Sequence, residues 1–320
     1  MLAAHFKYSI QDFVKLYKES TEQIPPKTLE SFISSLKRVE KTYGEPLEKL
    51  KLIYVLKPND LKRLLVLKDY SDNSIYATIS AVGKIIGLID APLSVYNQIK
   101  TILKDLRNKR RDLATDNLKS VRESEQWIDF NKILDKMNEL YPEYNTGEVE
   151  KYNFRAYLML CLFVYNPPVR IGNYLNCIVI KDEEPPDTNF NYLVINNSNY
   201  KFIFNKYKTS KIMGQQSLNI DNEKLINLLD LYFLEYHNIN SKYFLPKINN
   251  PKLEITQTLF TETLKNFTKK VFDNSFSIDI IRHSYINDFY ERMPSVKEKL
   301  ALSTMMNHSS GTQALYFKKG

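Results

Sequence analysis

The chain has 320 residues, enough for two ordinary domains, and its hydrophobic fraction of 43% is that of a folded globular protein. The net charge of +8 favours a polyanionic partner such as DNA or RNA. No apolar run of about 18 residues predicts a membrane span, and no secretory signal is visible. Two cysteines, Cys161 and Cys177, exclude a disulfide framework, and no His/Cys spacing resembles a zinc site. These features predict an intracellular protein in a reducing compartment.

The first 115 residues show the apolar spacing of amphipathic helices. Residues 28–41 and 74–89 repeat apolar side chains every three or four positions, and residues 92–106 predict another helix. The spaced side chains are Leu29, Phe32, Ile33, Leu36 and Val39, then Ile75, Ile79, Val82, Ile86 and Ile89. We therefore predict a helical bundle over residues 1–115. The polar residues 116–126 are predicted to be a linker.

The remaining residues, 127–320, predict a second domain that mixes helices with a small sheet. Helices are predicted over 127–137, 152–165, 222–236 and 256–272, and the second of these stops at Asn166-Pro167-Pro168 because proline cannot continue it. A hairpin is predicted from two β-rich runs, 192–195 and 200–204, with a third strand over 216–220. The fold class predicted is mainly α with a small antiparallel β-sheet, in two domains.

The last forty residues contain a pattern typical of a tyrosine nucleophile. Arg282-His283 precedes His308, and Tyr316 follows eight positions after that histidine. Metal-independent cleavage of a phosphodiester requires a nucleophile that stays bound to phosphorus, cations for the phosphoryl oxygens, and a donor for the leaving oxygen. Tyrosine suits the first task, and the planar fork of arginine suits the second. Lysine or histidine suits the third.

The whole pattern resembles the tyrosine recombinase, or phage-type integrase, family. That family has an arginine at a helix–turn junction, a lysine in a hairpin loop, an Arg-His box, a late histidine and a terminal tyrosine. The matching residues stand in Pro-Pro-Val-Arg170-Ile-Gly, Tyr-Lys208-Thr-Ser, Ile-Arg282-His-Ser, Asn-His308-Ser and Leu-Tyr316-Phe. The resemblance covers residues 127–320, and these motifs are most similar to those of integrases of large DNA viruses and their satellites. The bundle over residues 1–115 matches the family's core-DNA-binding domain in length and helical character.

The resemblance implies a site-specific recombinase that forms a 3′-phosphotyrosyl intermediate without a metal or nucleotide cofactor. Its catalytic set would be Arg170, Lys208, Arg282, His308 and Tyr316, with Lys206 and Lys211 as competitors for the role of the lysine. The family forms a two-domain clamp, a monomer in solution and a homo-tetramer on paired double-stranded DNA sites. Integration of a viral or mobile genome is the expected outcome, in the cytoplasm or nucleus of a host.

The sequence departs from the family pattern at two positions. Asp279 stands three residues before Arg282, where the family commonly has histidine, and we expect it to orient the arginine by a salt bridge. Asn173 replaces a frequent carboxylate and supplies no charge. Ser277 is predicted to cap the helix, with Arg282 at the border of its apolar stripe. His283 is predicted either to pack the helix or to support the catalytic residues from behind, and it is not placed in the catalytic set.

Several alternatives remain open from the sequence. A type IB topoisomerase or telomere resolvase uses similar chemistry. A catalytically weakened DNA-binding protein would explain Asp279 and Asn173, and a purely structural basic protein would leave the five residues scattered. Candidate phosphate contacts in the first domain are Lys37, Arg38, Lys41, Lys109, Arg110 and Arg111.

Overall fold

The computed structural model describes residues 9–20, 24–49, 57–88, 91–115, 117–181, 187–197, 199–307 and 309–318. The chain divides into two compact units, Met1–Thr115 and Asp116–Gly320. Within the described ranges, no helix is both long and apolar enough to cross a membrane.

The described residues of the first unit form helices joined by short turns. These are α1 (Ile10–Ser20), α2 (Pro26–Tyr43), a 3₁₀ turn (Leu47–Lys49), α3 (Pro58–Leu67), α4 (Asp72–Leu88) and α5 (Leu93–Thr115). Helix α4 packs against α2 and α5, and the predicted apolar positions Ile75, Ile79, Val82 and Ile86 are buried. The remaining one, Ile89, lies outside the described residues.

The contact between α4 and α5 is close because a glycine lies in it. A Cβ atom at Gly83 would lie 3.1 Å from the side chain of Ile99, which is tighter than ordinary van der Waals contact. Helix α2 ends at Gly44, whose φ of 77° places it in the left-handed region that glycine tolerates without strain. The bundle thus follows from apolar periodicity, with glycine at a packing contact and at a helix end.

The second unit combines helices with a four-stranded sheet and a two-stranded sheet. Its elements are α6 (Val121–Gln126), α7 (Phe130–Tyr144), α8 (Lys151–Val164), α9 (Ile171–Tyr174), β1 (Cys177–Lys181), β2 (Asn191–Asn196), β3 (Asn199–Phe204), α10 (Ser210–Met213), β4 (Gln216–Ile220), α11 (Glu223–Leu231) with a π turn (Tyr232–Tyr236), β5 (Pro246–Lys247), β6 (Asn250–Glu254), α12 (Gln257–Phe272), α13 (Ile278–Glu291), α14 (Val296–Met305) and α15 (Ser310–Ala314).

Helix α8 lies at the centre of the second unit. Every residue from Phe154 to Val164 is buried, because nearly all of these side chains are apolar or aromatic and the helix is surrounded by α7, α11, α12 and α13. The Glu150 carboxylate accepts hydrogen bonds from the first backbone N–H groups of the helix. The helix ends before Pro167-Pro168, as predicted, and this stop directs the chain toward Arg170.

The sheet agrees with the predicted hairpin and third strand, and it adds a strand that the sequence did not indicate. Strands β2, β3 and β4 pair antiparallel, with Tyr192 opposite Ile203 and Phe202 opposite Leu218. Strand β1 pairs with β2 in parallel. Helix α6, within the predicted linker, and the β5–β6 pair were also not anticipated.

Candidate active site

Arg282 is held rigidly inside the second unit. Its side chain is fully buried, its Nε donates to the carbonyl oxygen of Pro168 at 3.1 Å, and its Nη1 donates to the hydroxyl oxygen of Tyr316 at 3.0 Å. The guanidinium carbon lies 4.8 Å from the centre of the Tyr316 ring. The same Nη1 lies 3.6 Å from Oδ1 of Asp279, so the predicted salt bridge is present. Contacts on several sides fix the orientation of the arginine fork.

The prediction that Arg282 lies at the border of an apolar stripe is wrong. Ile278, Ile280, Ile281 and Ile286 are all buried, because α13 packs against both α7 and α8. The arginine therefore lies in the interior rather than at an edge. Ser277 occupies the N-cap position in an extended conformation, but its side chain makes no capping hydrogen bond.

Tyr316 lies beside Arg282 because α14 and α15 bring the end of the chain back to α13. The Tyr316 ring stacks on the His283 ring, with their centroids 4.6 Å apart, and its carbonyl oxygen lies 2.8 Å from Nδ1 of His283. The following ring, Phe317, stacks on Tyr290 at 5.4 Å. The candidate nucleophile is thus held by its own ring, its backbone and the next side chain.

Arg170 reaches the same region from the end of the Pro167-Pro168 segment. It is half-buried at the N-cap position of α9, and its Nη1 lies 3.4 Å from the carbonyl oxygen of Asn307. The hydroxyl of Thr209 donates to the same carbonyl at 3.2 Å. Asn307 has a φ of 56°, in the left-handed region that asparagine adopts more readily than most residues, and it turns the chain after α14.

Lys208 lies in the loop between β3 and α10, directly before Thr209. Its side chain is exposed, as are those of Lys206 and Lys211. The hydroxyl of Tyr207 donates to the carbonyl of Gly214 at 2.7 Å and closes the base of this loop. Because Thr209 bonds to Asn307, the loop meets the segment that Arg170 contacts, and Lys208 is the lysine nearest in sequence to that contact.

His308 lies outside the described residues, so the structure does not test its predicted place. Its described sequence neighbour Asn307 is the residue on which Arg170 and Thr209 converge. The structure therefore brings together Arg170, Arg282 and Tyr316, and places the loop of Lys208 against the same segment.

The electrostatics around Arg282 suit an anion. Burial lowers the pKa of its guanidinium, the Tyr316 oxygen opposes that shift, and the positive charge of Arg170 reinforces it. The charge of Arg170 disfavours the charged form of Arg282, and a phosphate bound by both arginines would offset that repulsion. The pair can thus bind and stabilise a phosphoryl group.

His283 packs against the Tyr316 ring, and it also contacts Glu123, a partner that sequence reasoning missed. The Nε2 atom of His283 lies 3.3 Å from Oε1 of Glu123, and the Nζ atom of Lys318 lies 3.8 Å from the same oxygen. The pattern Ser120-x-x-Glu123 is a capping-box signature and predicts the start of α6. Nothing in the sequence indicates that the carboxylate would reach α13.

Two of the candidate DNA contacts in the first unit are engaged internally. Arg38 is half-buried and donates to the Ser74 carbonyl at 3.1 Å and the Thr78 hydroxyl at 2.7 Å. Lys109 forms an ion pair with Asp72 at 2.8 Å. These contacts favour a structural role for Arg38 in particular.

The other candidates in the first unit are on the surface where they are described. Lys37, Lys41 and Arg111 are exposed, while the side chain of Arg110 lies outside the described residues. In the described part of the chain, no group of three or more His, Cys, Asp or Glu side chains is placed to hold a metal ion.

The sequence matches no family model, and no curated protein matches it. Solved structures do match. The Tn1549 transposon integrase in complex with transposon right-end DNA is similar with a TM-score of 0.58 and 10% identity, over 98% of this chain and 96% of that chain. The same integrase with a circular intermediate DNA gives a TM-score of 0.57 and 11% identity, over 98% and 96%.

The fold is that of the two-domain tyrosine recombinases. At 10–11% identity the likeness establishes the fold and not the chemistry. It confirms the predicted fold class, a mainly helical protein with a small sheet. The function must be argued from the side chains.

Proposed function

We propose that this protein is a site-specific DNA recombinase that cuts and rejoins DNA through a 3′-phosphotyrosyl intermediate. The observation that carries the proposal is the position of the Tyr316 hydroxyl, 3.0 Å from Nη1 of the buried Arg282, whose pKa the positive charge of Arg170 helps to lower. A tyrosine hydroxyl beside two arginines combines a nucleophile with cations that bind phosphoryl oxygens. The tyrosine recombinase fold supports the same reading.

In the proposed reaction, the Tyr316 oxygen attacks the scissile phosphorus and its proton passes to His308 or to solvent. The bond from phosphorus to the 5′ oxygen breaks, and its electron pair leaves with that oxygen. Lys208 donates the proton that makes the departing oxygen a free 5′-hydroxyl. Arg170 and Arg282 hold the non-bridging oxygens as their charge grows. Attack by another 5′-hydroxyl reverses the step and rejoins the strand.

Double-stranded DNA is the proposed substrate. The net charge of +8 and the DNA complexes among the similar structures support it. We further propose a homo-tetramer on paired sites and integration of a viral or mobile genome. The tetramer rests on the resemblance to the tyrosine recombinase family, and the integration of a viral or mobile genome rests on the similarity to integrases of large DNA viruses and their satellites.

A nicked suicide substrate tests the proposal. Duplexes taken from the DNA that flanks the gene, with a nick just 3′ of each candidate scissile phosphate, release a short fragment and trap a covalent adduct. We expect an adduct of protein and DNA that disappears in Tyr316→Phe and persists in Tyr152→Phe, a control tyrosine exposed on α8. Failure to form any adduct on these duplexes, despite binding to them, would refute the catalytic proposal.

A DNA-binding protein without cleavage is the second candidate function. It is favoured by Asp279, whose carboxylate lies 3.6 Å from Nη1 of Arg282 and opposes the approach of a phosphate. That candidate predicts a shift in electrophoretic mobility with DNA and no covalent adduct. Relaxation of a supercoiled plasmid that lacks the flanking sequences would instead assign a type IB topoisomerase.

A further inference from the structure

Side chains of α13 form hydrogen bonds with the backbone of Tyr316 and the residues that follow it. We call residues 316–318 the tail segment. Asn287 donates from Nδ2 to the Lys318 carbonyl at 2.6 Å and accepts from the Lys318 N–H at 2.7 Å. His283, one turn earlier on the same face of α13, contacts the Tyr316 carbonyl at 2.8 Å. Two side chains thus hold three backbone groups of the tail segment.

The protonation of His283 follows from its partners. A carbonyl oxygen only accepts hydrogen bonds, so the Nδ1 atom must carry the proton that reaches Tyr316. In a neutral imidazole the opposite atom, Nε2, then presents a lone pair to the Glu123 carboxylate, whereas an imidazolium donates on both sides. Burial lowers the pKa of His283, the Tyr316 carbonyl and Glu123 raise it, Lys318 lowers it, and Asp279 raises it.

Glu123 is a fixed anion at this position. Its second oxygen, Oε2, accepts the Ser120 N–H at 2.8 Å in the capping box of α6. Burial opposes ionisation, but the hydrogen bonds from Ser120 and the charges of Lys318 and His283 leave the pKa of Glu123 below its ordinary value. The other oxygen, Oε1, lies between His283 at 3.3 Å and Lys318 at 3.8 Å. One carboxylate therefore contacts both a residue that binds the tail segment and a residue of the segment itself.

We propose that Glu123, His283 and Asn287 are positioning residues for Tyr316, which hold the tail segment so that the tyrosine hydroxyl stays beside Arg282. None of the three touches the reacting atoms. Glu123 acts through Lys318 and, when the imidazole is protonated, through His283, and His283 and Asn287 act on the backbone. The effect of the tail segment on catalysis rests on the proposed function. The ordering of its backbone by these three residues does not.

Hydrogen exchange tests the order of the tail segment without any DNA. We expect the amides of residues 316–318 to exchange slowly in the wild-type protein and at least about tenfold faster in Glu123→Gln and Asn287→Ala, with exchange in α8 unchanged. Glutamine at position 123 preserves the capping box, so α6 remains capped. Glu139→Gln removes an exposed carboxylate paired with Lys136 and serves as the matched control.

Two substitutions of the histidine separate its contacts. In His283→Asn the amide nitrogen replaces Nδ1, which retains the bond to the Tyr316 carbonyl and loses Glu123. In His283→Gln the amide reaches the position of Nε2, which retains the contact with Glu123 and loses the carbonyl. We expect tail exchange to be slower in the asparagine variant than in the glutamine variant, an order that a general loss of stability would not produce.

Covalent adduct formation tests the catalytic consequence. We expect Glu123→Gln to slow adduct formation about 10- to 100-fold while DNA affinity changes less than about twofold, because a small displacement of a nucleophile slows the chemical step. Ser120→Ala removes the cap hydroxyl but keeps the Glu123–His283 contact, and should retain a rate near that of the wild type.

The outcomes distinguish the two proposals. Fast exchange of residues 316–318 in the wild-type protein, or equal adduct rates in wild type and Glu123→Gln, would overturn the positioning role. A slowing in Ser120→Ala as large as that in Glu123→Gln would assign the effect to the helix cap and also overturn it. Absence of any wild-type adduct, with tail exchange responding as expected, would refute the proposed function and leave the positioning of the tail intact.

Discussion

The two sides of the candidate site are built in contrasting ways. On the arginine side, Arg282, His283 and Tyr316 are packed together, and Arg282 is fully buried. On the other side, the lysine loop (residues 205–213) keeps Lys208 exposed and is anchored by Thr209 and Tyr207. The difference teaches that the groups assigned to hold charge are preorganised by the core, whereas the group assigned to donate a proton is carried by the surface.

This contrast has an energetic reason. Stabilising charge in a transition state needs dipoles and cations already oriented, and burial among fixed partners provides that. A lysine that donates a proton needs access to a leaving oxygen that arrives with the substrate. Substitutions should therefore affect both stability and chemistry on the arginine side, and chemistry alone in the lysine loop.

The largest effect is expected for Arg282→Ala. It removes a buried guanidinium and leaves the Pro168 carbonyl without that hydrogen bond, so we expect the free energy of unfolding to fall by about 3 kcal/mol. Adduct formation should fall at least about 1,000-fold. Urea unfolding and the nicked-substrate assay measure the two effects. Arg292→Ala, at an exposed arginine that directly follows the same helix and pairs with Asp288, should change stability by less than about 0.5 kcal/mol. Equal losses of stability and of adduct formation in Arg282→Ala and Arg292→Ala would contradict the special role of the buried arginine.

Lys208→Ala should slow adduct formation about 100- to 10,000-fold and leave stability unchanged within about 0.5 kcal/mol. A substrate with sulfur in place of the 5′ leaving oxygen should restore the rate, because a thiolate leaves without a proton. Lys206→Ala and Lys211→Ala are matched controls in the same loop. If the sulfur-containing substrate restored the rate of Lys206→Ala or Lys211→Ala and not that of Lys208→Ala, the role of proton donor would be assigned to that other lysine.

His283 should make stability depend on pH. Its pKa lies below the ordinary 6.5, mainly because of burial, so the unfolded chain binds more protons as the solution is acidified. The contribution of this histidine is complete above about pH 6.5 and is lost as the pH falls below that value. The free energy of unfolding, measured from about pH 7.5 to about pH 5.5, should decrease more for the wild type than for His283→Asn. Identical slopes would contradict burial of a neutral imidazole on the arginine side.

The smallest effect is expected for Asp279→Asn. The carboxylate lies 3.6 Å from Nη1 of Arg282 but is 75% exposed, so water screens much of its charge. We expect adduct formation to rise about two- to fivefold with little change in stability. Asp279→His should raise the rate further, since it supplies the donor that the resemblance leads one to expect. A decrease in both variants would show that Asp279 orients Arg282 for the reaction.

Much of the helical framework was predictable because local periodicity and proline determine it. The buried positions of α4 and the end of α8 before Pro167 follow from patterns within a few residues. Strand β1 was missed because a short apolar run does not reveal a parallel partner. Helix α6 was missed because its polar composition obscured the capping box of Ser120 and Glu123.

By itself, the sequence determined the order of the candidate groups, from Arg170 through Lys208 and Arg282 to Tyr316, and the elements that carry them. Only the tertiary structure decided that Arg282 is buried, that its fork reaches a tyrosine 34 residues later, and that Arg170 meets Asn307 across 137 residues. The physical reason is that periodicity reports which face of an element is apolar. Which elements bury that face, and which polar groups they bring together, depends on packing between segments distant in the chain.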